Sequence, residues 1–205
     1  MTKPVIGILG GGQLGMMLCD AAKKIDVETH IFCPDYDCPS QGRSTYFSVG
    51  DYTDKKEIIK FSNNVDYITY EFENIPIETI DFISDQKKIR PGKKSLLLTQ
   101  DRLTEKKFLD ELKVPIAPYK DLRTIDDICS AQDEFINGII KTRTLGYDGK
   151  GQFSLKDSDD PNEVFSKILN NSIIEKRIPF EFEVSVIIAR DIRGKTSFFP
   201  IGKNI

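Results

Sequence analysis

The N-terminal stretch that decides the fold runs from Val5 to Gly15 and reads VIGILGGGQLG. Its first part is a continuous apolar run of the length expected for a strand buried in a parallel sheet. Glycines then form a turn, and apolar residues recur at helical spacing as far as Ala22. A second strand is predicted from Glu28 to Phe32. This order of strand, helix and strand predicts a doubly wound α/β domain with a right-handed crossover.

The glycine turn also contains the pattern G-x-G-x-x-G, from Gly10 to Gly15. Free backbone N–H groups and the helix dipole at such a turn favour a bound phosphate. A dinucleotide site would also place an acidic residue at the end of the second strand. Here the strand ends in Phe32 and Cys33, and the first acidic residue after it, Asp35, lies beyond the position that a dinucleotide site requires. A phosphorylated metabolite, a dinucleotide and a purely structural turn therefore all remain open at this point.

Two acidic residues, Glu71 and Glu73, follow a predicted strand at 65–69 and lie within the sequence YEFENIP. Open α/β sheets bind their ligands at the carboxyl ends of their strands. If this loop stays extended, alternation places both carboxylates on one side, where they can orient a polar substrate or move protons. The alternative interpretation is that both carboxylates are ordinary loop charges exposed to solvent.

The segment Ile139–Gln152 reads IIKTRTLGYDGKGQ and predicts a strand, a glycine-rich loop and a second strand. Lys141 leaves the first strand, and Lys150 lies in the loop. Glycines allow backbone N–H groups to approach a polyphosphate closely, and lysines supply positive charge beside it. No Walker sequence of the form GxxxxGK[ST] occurs, so the pattern indicates a nucleoside triphosphate site of another kind. Either lysine taken alone has the simpler interpretation of a solvated charge.

Prolines and turn residues divide the rest of the chain into short elements. A helix at 54–63 is predicted, with Thr53 as its cap. Further helices are predicted at about 76–84, 95–100, 103–112, 125–135 and 161–169, with a strand at 173–176. Residues 182–189 and 196–200 predict a hairpin that turns at 191–194.

Composition and charge argue against several classes of function. With 205 residues, of which 39% are hydrophobic and 30% charged, the chain can bury a substantial core. A net charge of −3 gives no electrostatic support for a nucleic-acid or anionic-membrane partner. No apolar run approaches the roughly 20 residues needed to cross a bilayer. Four cysteines without zinc spacing and one histidine predict reduced cytoplasmic thiols rather than a metal cluster.

Several of these segments together resemble one family, the 5-(carboxyamino)imidazole ribonucleotide synthetases, which are ATP-grasp enzymes of bacterial and fungal purine biosynthesis. The glycine-rich loop with its lysines is general to ATP-grasp proteins. The sequence EFENIP beside GQLG is narrower and separates this family from related carboxylases and ligases. The segments that carry the resemblance are Gly11–Gly15, Glu71–Pro76, Gln100–Lys106, Lys141–Gln152 and Glu175–Val184.

The resemblance implies an α/β fold with a pre-ATP-grasp, Rossmann-like domain at residues 1–95 and an incomplete ATP-grasp domain at 96–205. Within the second domain, an ATP-binding subdomain covers about 115–178, and a central sheet starts at 180–205. Family members are considerably longer, so we expect a fragment or truncated product whose own activity is in question. The magnesium ligands are expected in the absent part, and no metal site is predicted within this chain.

For the full-length enzyme, the resemblance implies ATP-dependent carboxylation of 5-aminoimidazole ribonucleotide with bicarbonate. In this reaction ATP first phosphorylates bicarbonate, which gives carboxyphosphate and ADP. Carboxyphosphate then delivers carbon dioxide to the exocyclic amine and releases phosphate. The implied cofactors are ATP and Mg²⁺. The implied location is the cytoplasm, and the implied assembly is a homodimer without nucleic-acid or membrane partners.

The resemblance also assigns roles to individual residues. Substrate is expected to meet the glycine turn and the acidic loop, through Gly12, Gln13, Leu14 and Glu73. Catalytic roles are expected for Glu73, Tyr147 and Asp148. The ATP contacts are expected from Arg102, Lys141, Gly146, Tyr147, Asp148, Gly149, Lys150, Gly151, Gln152, Glu175, Lys176, Arg177, Ile178 and Glu183.

Two other classes of function remain open on sequence alone. A nicotinamide-dependent oxidoreductase would use the first glycine turn and would need an acid near residue 35 to bind ribose. That interpretation leaves the loop at 141–152 unexplained. The other alternative is a non-catalytic remnant that keeps the fold without turnover.

Overall fold

The computed structural model describes residues 3–83, 85, 88–146, 151–168 and 171–204. Within those ranges, no helix combines the length and the apolar character that a bilayer crossing needs. The first half alternates strands with helices. Its elements are β1 (Val5–Leu9), α1 (Gln13–Lys24), β2 (Glu28–Cys33), β3 (Tyr46–Val49), α2 (Lys55–Asn63), β4 (Tyr67–Tyr70), α3 (Ile77–Asp81) and α4 (Lys93–Thr99).

Four parallel strands form the first sheet, in the order β3-β2-β1-β4. Strands β1 and β2 lie in the middle, and their register pairs Leu9 with Phe32. The predicted doubly wound parallel sheet is therefore confirmed. Strand β3 is absent from the sequence prediction because it is a short edge strand whose ends, Tyr46 and Val49, are exposed and give no apolar pattern.

Helix α1 packs on the sheet through small side chains. The residues that it buries are Gly15, Cys19 and Ala22, whereas Leu14 and Met17 are more than half exposed. Small residues on the packed face let the helix backbone lie close to the strands, and this is why the larger apolar residues at helical spacing are displaced towards solvent. The predicted helix is confirmed, but it packs on the sheet through its small residues and not through its large apolar ones.

The second half contains a second, antiparallel sheet. Its elements are α5 (Arg102–Glu111), β5 (Tyr119–Leu122), α6 (Ile125–Glu134), β6 (Ile139–Thr142), β7 (Gln152–Ser154), α7 (Pro161–Ile168), β8 (Ser172–Glu175), β9 (Val184–Ser185), β10 (Ile188–Arg190), β11 (Thr196–Phe198) and β12 (Gly202–Lys203). Strands β5, β8, β6 and β7 form this sheet in that order. The strands predicted on either side of the glycine-rich loop are thus neighbours, as the pattern indicates.

The two faces of the antiparallel sheet have different characters. One face packs against α6 and α7 in a cluster that includes Leu122, Ile140 and Ile174. Because side chains alternate along a strand, Lys141 and Glu175 lie on the other face. We call this second side the open face.

The C-terminal segment, residues 176–204, is exposed along its whole described length. Strands β10 and β11 pair as an antiparallel hairpin, and the amide of Asp191 donates to the carbonyl of Lys195 across the turn. The hairpin predicted to turn at 191–194 is therefore confirmed. A second short pair joins β9 to β12.

The N-terminus of α2 corrects one sequence prediction. The cap is Asp54, whose carboxylate accepts from the amides of Lys56 and Glu57. The predicted cap, Thr53, instead donates its hydroxyl and its amide to Asp51. Thr53 is one residue too early to reach the free N–H groups of the first turn.

Replacement of the cap gives a direct test of this assignment. We expect Asp54→Ala to lower the free energy of unfolding by about 1 kcal/mol, because two helix N–H groups lose their acceptor. Thr53→Ala is the matched control and should cost less. Urea denaturation of both variants measures the difference, and an equal or larger loss in Thr53→Ala would contradict the assignment.

Candidate functional site

The glycine turn after β1 encloses the carboxylate of Glu71. The amide of Gly12 donates to Oε1 at 2.5 Å, and the amide of Gly15 donates to Oε2. Gly10 has a φ of +120°, and a side chain there would collide with Glu71. The protein thus places its own anion at the N-terminus of α1, where the helix dipole favours one. A phosphate at this turn would meet a negative charge and two amides already in use.

The segment that follows β2 supports the same turn from the other side. Ser40 donates its amide to the carbonyl of Gly11 at 3.0 Å and its hydroxyl to the carbonyl of Gly12 at 3.2 Å. The sulfur atoms of Cys33 and Cys38 lie 3.6 Å apart, and a Cβ on Gly11 would come within 2.6 Å of both. Burial and the neighbouring Cys38 thiol raise the pKa of Cys33 to about 12. The turn is therefore closely packed on both sides.

Glu73 lies apart from Glu71, in a different environment. The chain turns at 71–75 instead of staying extended, so alternation does not put the two carboxylates on one side. Glu73 borders a cavity of about 280 Å³, with Arg102, Arg143 and Leu145 of the second half on its walls. Its other lining residues are Thr99, Gln100 and Glu105. This cavity joins the acidic loop to the base of the glycine-rich loop.

Glu105 gives the cavity a second carboxyl group. Burial raises the pKa of Glu105 above its ordinary value. The positive charges of Lys106 and Arg102 oppose this shift, whereas the negative charges of Glu175 and Glu73 add to it. The cavity therefore contains both acidic and basic groups.

Arg102 ties α5 to the base of the glycine-rich loop. Its guanidinium donates from Nη1 to the carbonyl of Thr142 at 2.7 Å and from Nη2 to the carbonyl of Gly146 at 2.6 Å. Its backbone amide donates to the carbonyl of Arg143 at 2.9 Å. The two side-chain bonds use two of the five N–H donors of the guanidinium, and the predicted contact of Arg102 with ATP phosphates stays a prediction.

The glycine-rich loop is described at its two ends. Gly151 has a φ of +73°, and a Cβ there would lie 2.8 Å from the hydroxyl of Thr142. The amide of Thr142 donates to the carbonyl of Gly151, so the two ends of the loop are bonded to each other. Gln152 starts β7 opposite Lys141. The other predicted loop residues, Tyr147, Asp148, Gly149 and Lys150, lie outside the described residues.

The open face of the second sheet carries a cluster of three charges. Lys141 reaches Oε2 of Glu175 at 2.9 Å, and Lys106 of α5 reaches Oε1 at 3.3 Å. Two lysines and one glutamate give this cluster a net charge of +1, and it lies on the face that the helices α6 and α7 do not cover. The structure therefore brings together two of the predicted ATP residues, Lys141 and Glu175.

The predicted ATP residues that follow Glu175 are bonded within the protein or exposed. The amide of Lys176 donates to the carbonyl of Pro118. Arg177 donates to the hydroxyl of Ser154 at 2.7 Å and to the carbonyl of Asn137. Ile178 and Glu183 belong to the exposed C-terminal segment. Their roles in binding the adenine and the ribose stay predictions, as does the role of the exposed pair Gln13 and Leu14 in substrate binding.

Two charged groups near the site have no role in the sequence prediction. Lys106 follows Arg102 by four residues on α5, so both lie on one side of the helix, and this spacing was the available signal. Arg143 forms an ion pair with Asp101 at 2.6 Å. Burial disfavours the charged form of Asp101, but hydrogen bonds from Arg143 and Thr104 outweigh it and lower the pKa of Asp101.

Both halves of the chain match known domain families. Residues 1–100 match the ribonucleotide synthetase preATP-grasp domain, and residues 107–205 match the ATP-grasp domain. An N5-carboxyaminoimidazole ribonucleotide synthase from Brucella melitensis is 39% identical over 98% of this chain and 56% of its own length. The chain belongs to the N5-carboxyaminoimidazole ribonucleotide synthase family. The predicted resemblance is therefore confirmed.

Other members of this family agree in sequence and in fold. The crystal structure of N5-carboxyaminoimidazole synthetase from Staphylococcus aureus complexed with ADP superposes with a TM-score of 0.91 at 34% identity, over 100% of this chain and 56% of that one. The bifunctional purine synthesis protein purC/E of Dictyostelium discoideum is 38% identical over 97% of this chain and 21% of its own length. The chain thus spans about half the length of the Brucella and Staphylococcus synthases.

The contact of Glu71 with the glycine turn gives one prediction. We expect Glu71→Gln to lower the free energy of unfolding by about 1–3 kcal/mol, because a glutamine has one acceptor oxygen, and its NH2 group cannot accept from the second backbone amide. Glu73→Gln, on the same loop, is the matched control and should change stability by less than about 0.5 kcal/mol. Chemical denaturation measures both variants. Equal losses would refute a special role for Glu71.

The ion pair of Asp101 gives a second prediction, on pH dependence. A carboxyl whose pKa is lowered on folding stabilises the folded protein above its unfolded pKa of about 3.9 and loses that contribution as the pH falls through its folded pKa. We expect Asp101→Asn to be less stable than the wild-type protein at pH 7, and the gap to shrink below about pH 4. Asp133→Asn, an exposed position on α6, is the control. A gap that does not change between pH 7 and pH 3 would exclude this contribution.

Proposed function

We propose that this chain binds ATP and 5-aminoimidazole ribonucleotide and takes part in the ATP-dependent carboxylation that forms N5-carboxyaminoimidazole ribonucleotide. The observation that carries the proposal is the cavity of about 280 Å³ between Glu73 and the base of the glycine-rich loop. It places a carboxylate from the parallel-sheet half beside Arg102 and Arg143 from the antiparallel-sheet half. A reaction that joins two small molecules needs such a meeting point.

The ATP contacts that we propose lie on the open face of the second sheet. Lys141 lies at the start of the glycine-rich loop and can turn from Glu175 to a phosphate oxygen, while Glu175 is placed to accept from an amine or hydroxyl of the nucleoside. The Staphylococcus protein named above was crystallised with ADP, at 34% identity to this chain. We infer that the loop residues Tyr147, Asp148 and Lys150 contribute to ATP binding.

The reaction that we propose gives the product named for the Brucella relative. An oxygen of bicarbonate attacks the γ-phosphorus of ATP, and the bond to the β-phosphate oxygen breaks, which gives carboxyphosphate and ADP. Carboxyphosphate releases carbon dioxide and phosphate. The exocyclic amine of the ribonucleotide then forms the new carbon–nitrogen bond and gives up one proton. Glu73 is the carboxylate that we assign to orient that amine, and water must be excluded from the labile intermediate.

Magnesium is the cofactor that phosphoryl transfer of this kind requires. Within the described ranges, no group of three or more His, Cys, Asp or Glu side chains is arranged to bind a metal ion. Glu175 is already neutralised by two lysines. The described residues therefore do not fit a magnesium site of their own.

The setting of the enzyme is part of the same proposal. We infer a cytoplasmic enzyme that acts as a homodimer at full length, with small-molecule substrates and no nucleic-acid or membrane partner. The net charge of −3 supports the last point. The nicotinamide alternative has no support among the matched proteins, and two amides of its glycine turn already bind Glu71.

Binding of ATP to the chain tests the proposal. We expect Lys141→Met to weaken ATP binding at least about tenfold, because one phosphate loses its cation, while adenosine binding changes less. Lys120→Met is the matched control, since Lys120 lies on the opposite face of the same sheet, bonded to Ser130. Isothermal titration calorimetry gives the dissociation constants.

The outcomes of this titration are distinct. If the wild-type chain binds neither ATP nor 5-aminoimidazole ribonucleotide, the proposed function is wrong for this chain. If it binds ATP but Lys141→Met and Lys120→Met bind it equally well, the function stands and the role of Lys141 is wrong.

A further inference from the structure

The carboxylate of Glu175 is shared between two lysines that come from different elements. Its Oε2 atom lies 2.9 Å from Nζ of Lys141 on β6, and its Oε1 atom lies 3.3 Å from Nζ of Lys106 on α5. Glu175 is 13% exposed, so it has little solvent to replace a lost partner. Each oxygen of the carboxylate thus has its own cation.

The two lysines differ in how tightly they are held. The side chain of Lys106 is 12% exposed, against 26% for Lys141. The ammonium of Lys106 also lies 5.4 Å from the centre of the Tyr119 ring, close enough for a cation–π contact. The hydroxyl of Tyr119 in turn donates to Asp110, on the same helix as Lys106. Lys106 is therefore fixed by several contacts, and Lys141 is the more accessible of the two.

This asymmetry has a consequence if Lys141 serves a nucleotide phosphate. When Lys141 turns away, Glu175 keeps its charge in a mostly buried place, beside an incoming polyanion. A buried carboxylate without a partner is costly, and it would also repel the phosphates. Lys106 lowers both the cost of the buried charge and the repulsion of the phosphates, because it stays bound to the other oxygen of Glu175.

We propose that Lys106 is a positioning residue that keeps the Glu175 carboxylate neutralised and in place while Lys141 contacts the triphosphate. The inference rests on the proposed function and extends it to a residue that acts through Glu175 and does not touch the nucleotide. Its effect should therefore depend on the presence of the Glu175 charge.

A double-mutant cycle on the whole chain tests this dependence. Lys106→Met removes the charge and keeps the aliphatic stem, Lys106→Arg keeps the charge, and Glu175→Gln removes the anion. Lys107→Met, exposed on the same helix, is the matched control. Titration calorimetry with ATP gives the dissociation constant of each variant and of Lys106→Met/Glu175→Gln, and thermal unfolding shows that each variant is folded.

We expect Lys106→Met to weaken ATP binding on the order of tenfold and Lys106→Arg to recover most of the loss. In the Glu175→Gln background, Lys106→Met should change the dissociation constant by less than about twofold. A full loss in that background, no loss in the wild-type background, or an equal loss in Lys107→Met would each overturn the role of Lys106. A wild-type chain that does not bind ATP overturns the proposed function together with this inference, whereas the other three outcomes leave the function standing.

Discussion

The contact between Glu71 and the amides of Gly12 and Gly15 is the constraint on which the arrangement of the site depends. It joins the loop after β4 to the N-terminus of α1, which are distant in sequence and adjacent in the parallel sheet. The chain turns directly after this contact, and Glu73 borders the cavity at the base of the glycine-rich loop. One acid of the pair is therefore bonded within the fold, and the other borders the cavity.

The charged groups on and near the second sheet are also paired with partners within the protein. Lys106 and Lys141 meet one carboxylate on the open face, while Arg143 meets Asp101 close by. Arg102 is occupied by backbone carbonyls at the base of the loop. The site therefore contains several cations that are already paired within the protein, and in the function proposed above Lys141 is the one that exchanges its partner for a phosphate.

The sequence predicted the parts of the fold that have strong local patterns. The apolar run Val5–Leu9, the loop between β6 and β7, and the C-terminal hairpin all follow from residues close together in the chain. Strand β5 reads YKDL and has no apolar pattern, because it is a strand only through its pairing with β8. The partners of Glu71 lie 56 and 59 residues away, so no local signal could distinguish its role from that of Glu73. For Lys106 the spacing from Arg102 marks the side of the helix, but its carboxylate partner, Glu175, belongs to a strand on the far side of the glycine-rich loop, so the ion pair itself has no local signal.

The packing around the cysteines has a practical consequence for spectroscopy. Cys19 and Cys33 are buried, and Cys38 is half-buried against the glycine turn, whereas Cys129 is exposed on α6. A maleimide dye added to the native protein would therefore attach first at Cys129, on the side of the antiparallel sheet away from the three-charge cluster. Fluorescence from that position would report on the second half without a dye on the open face.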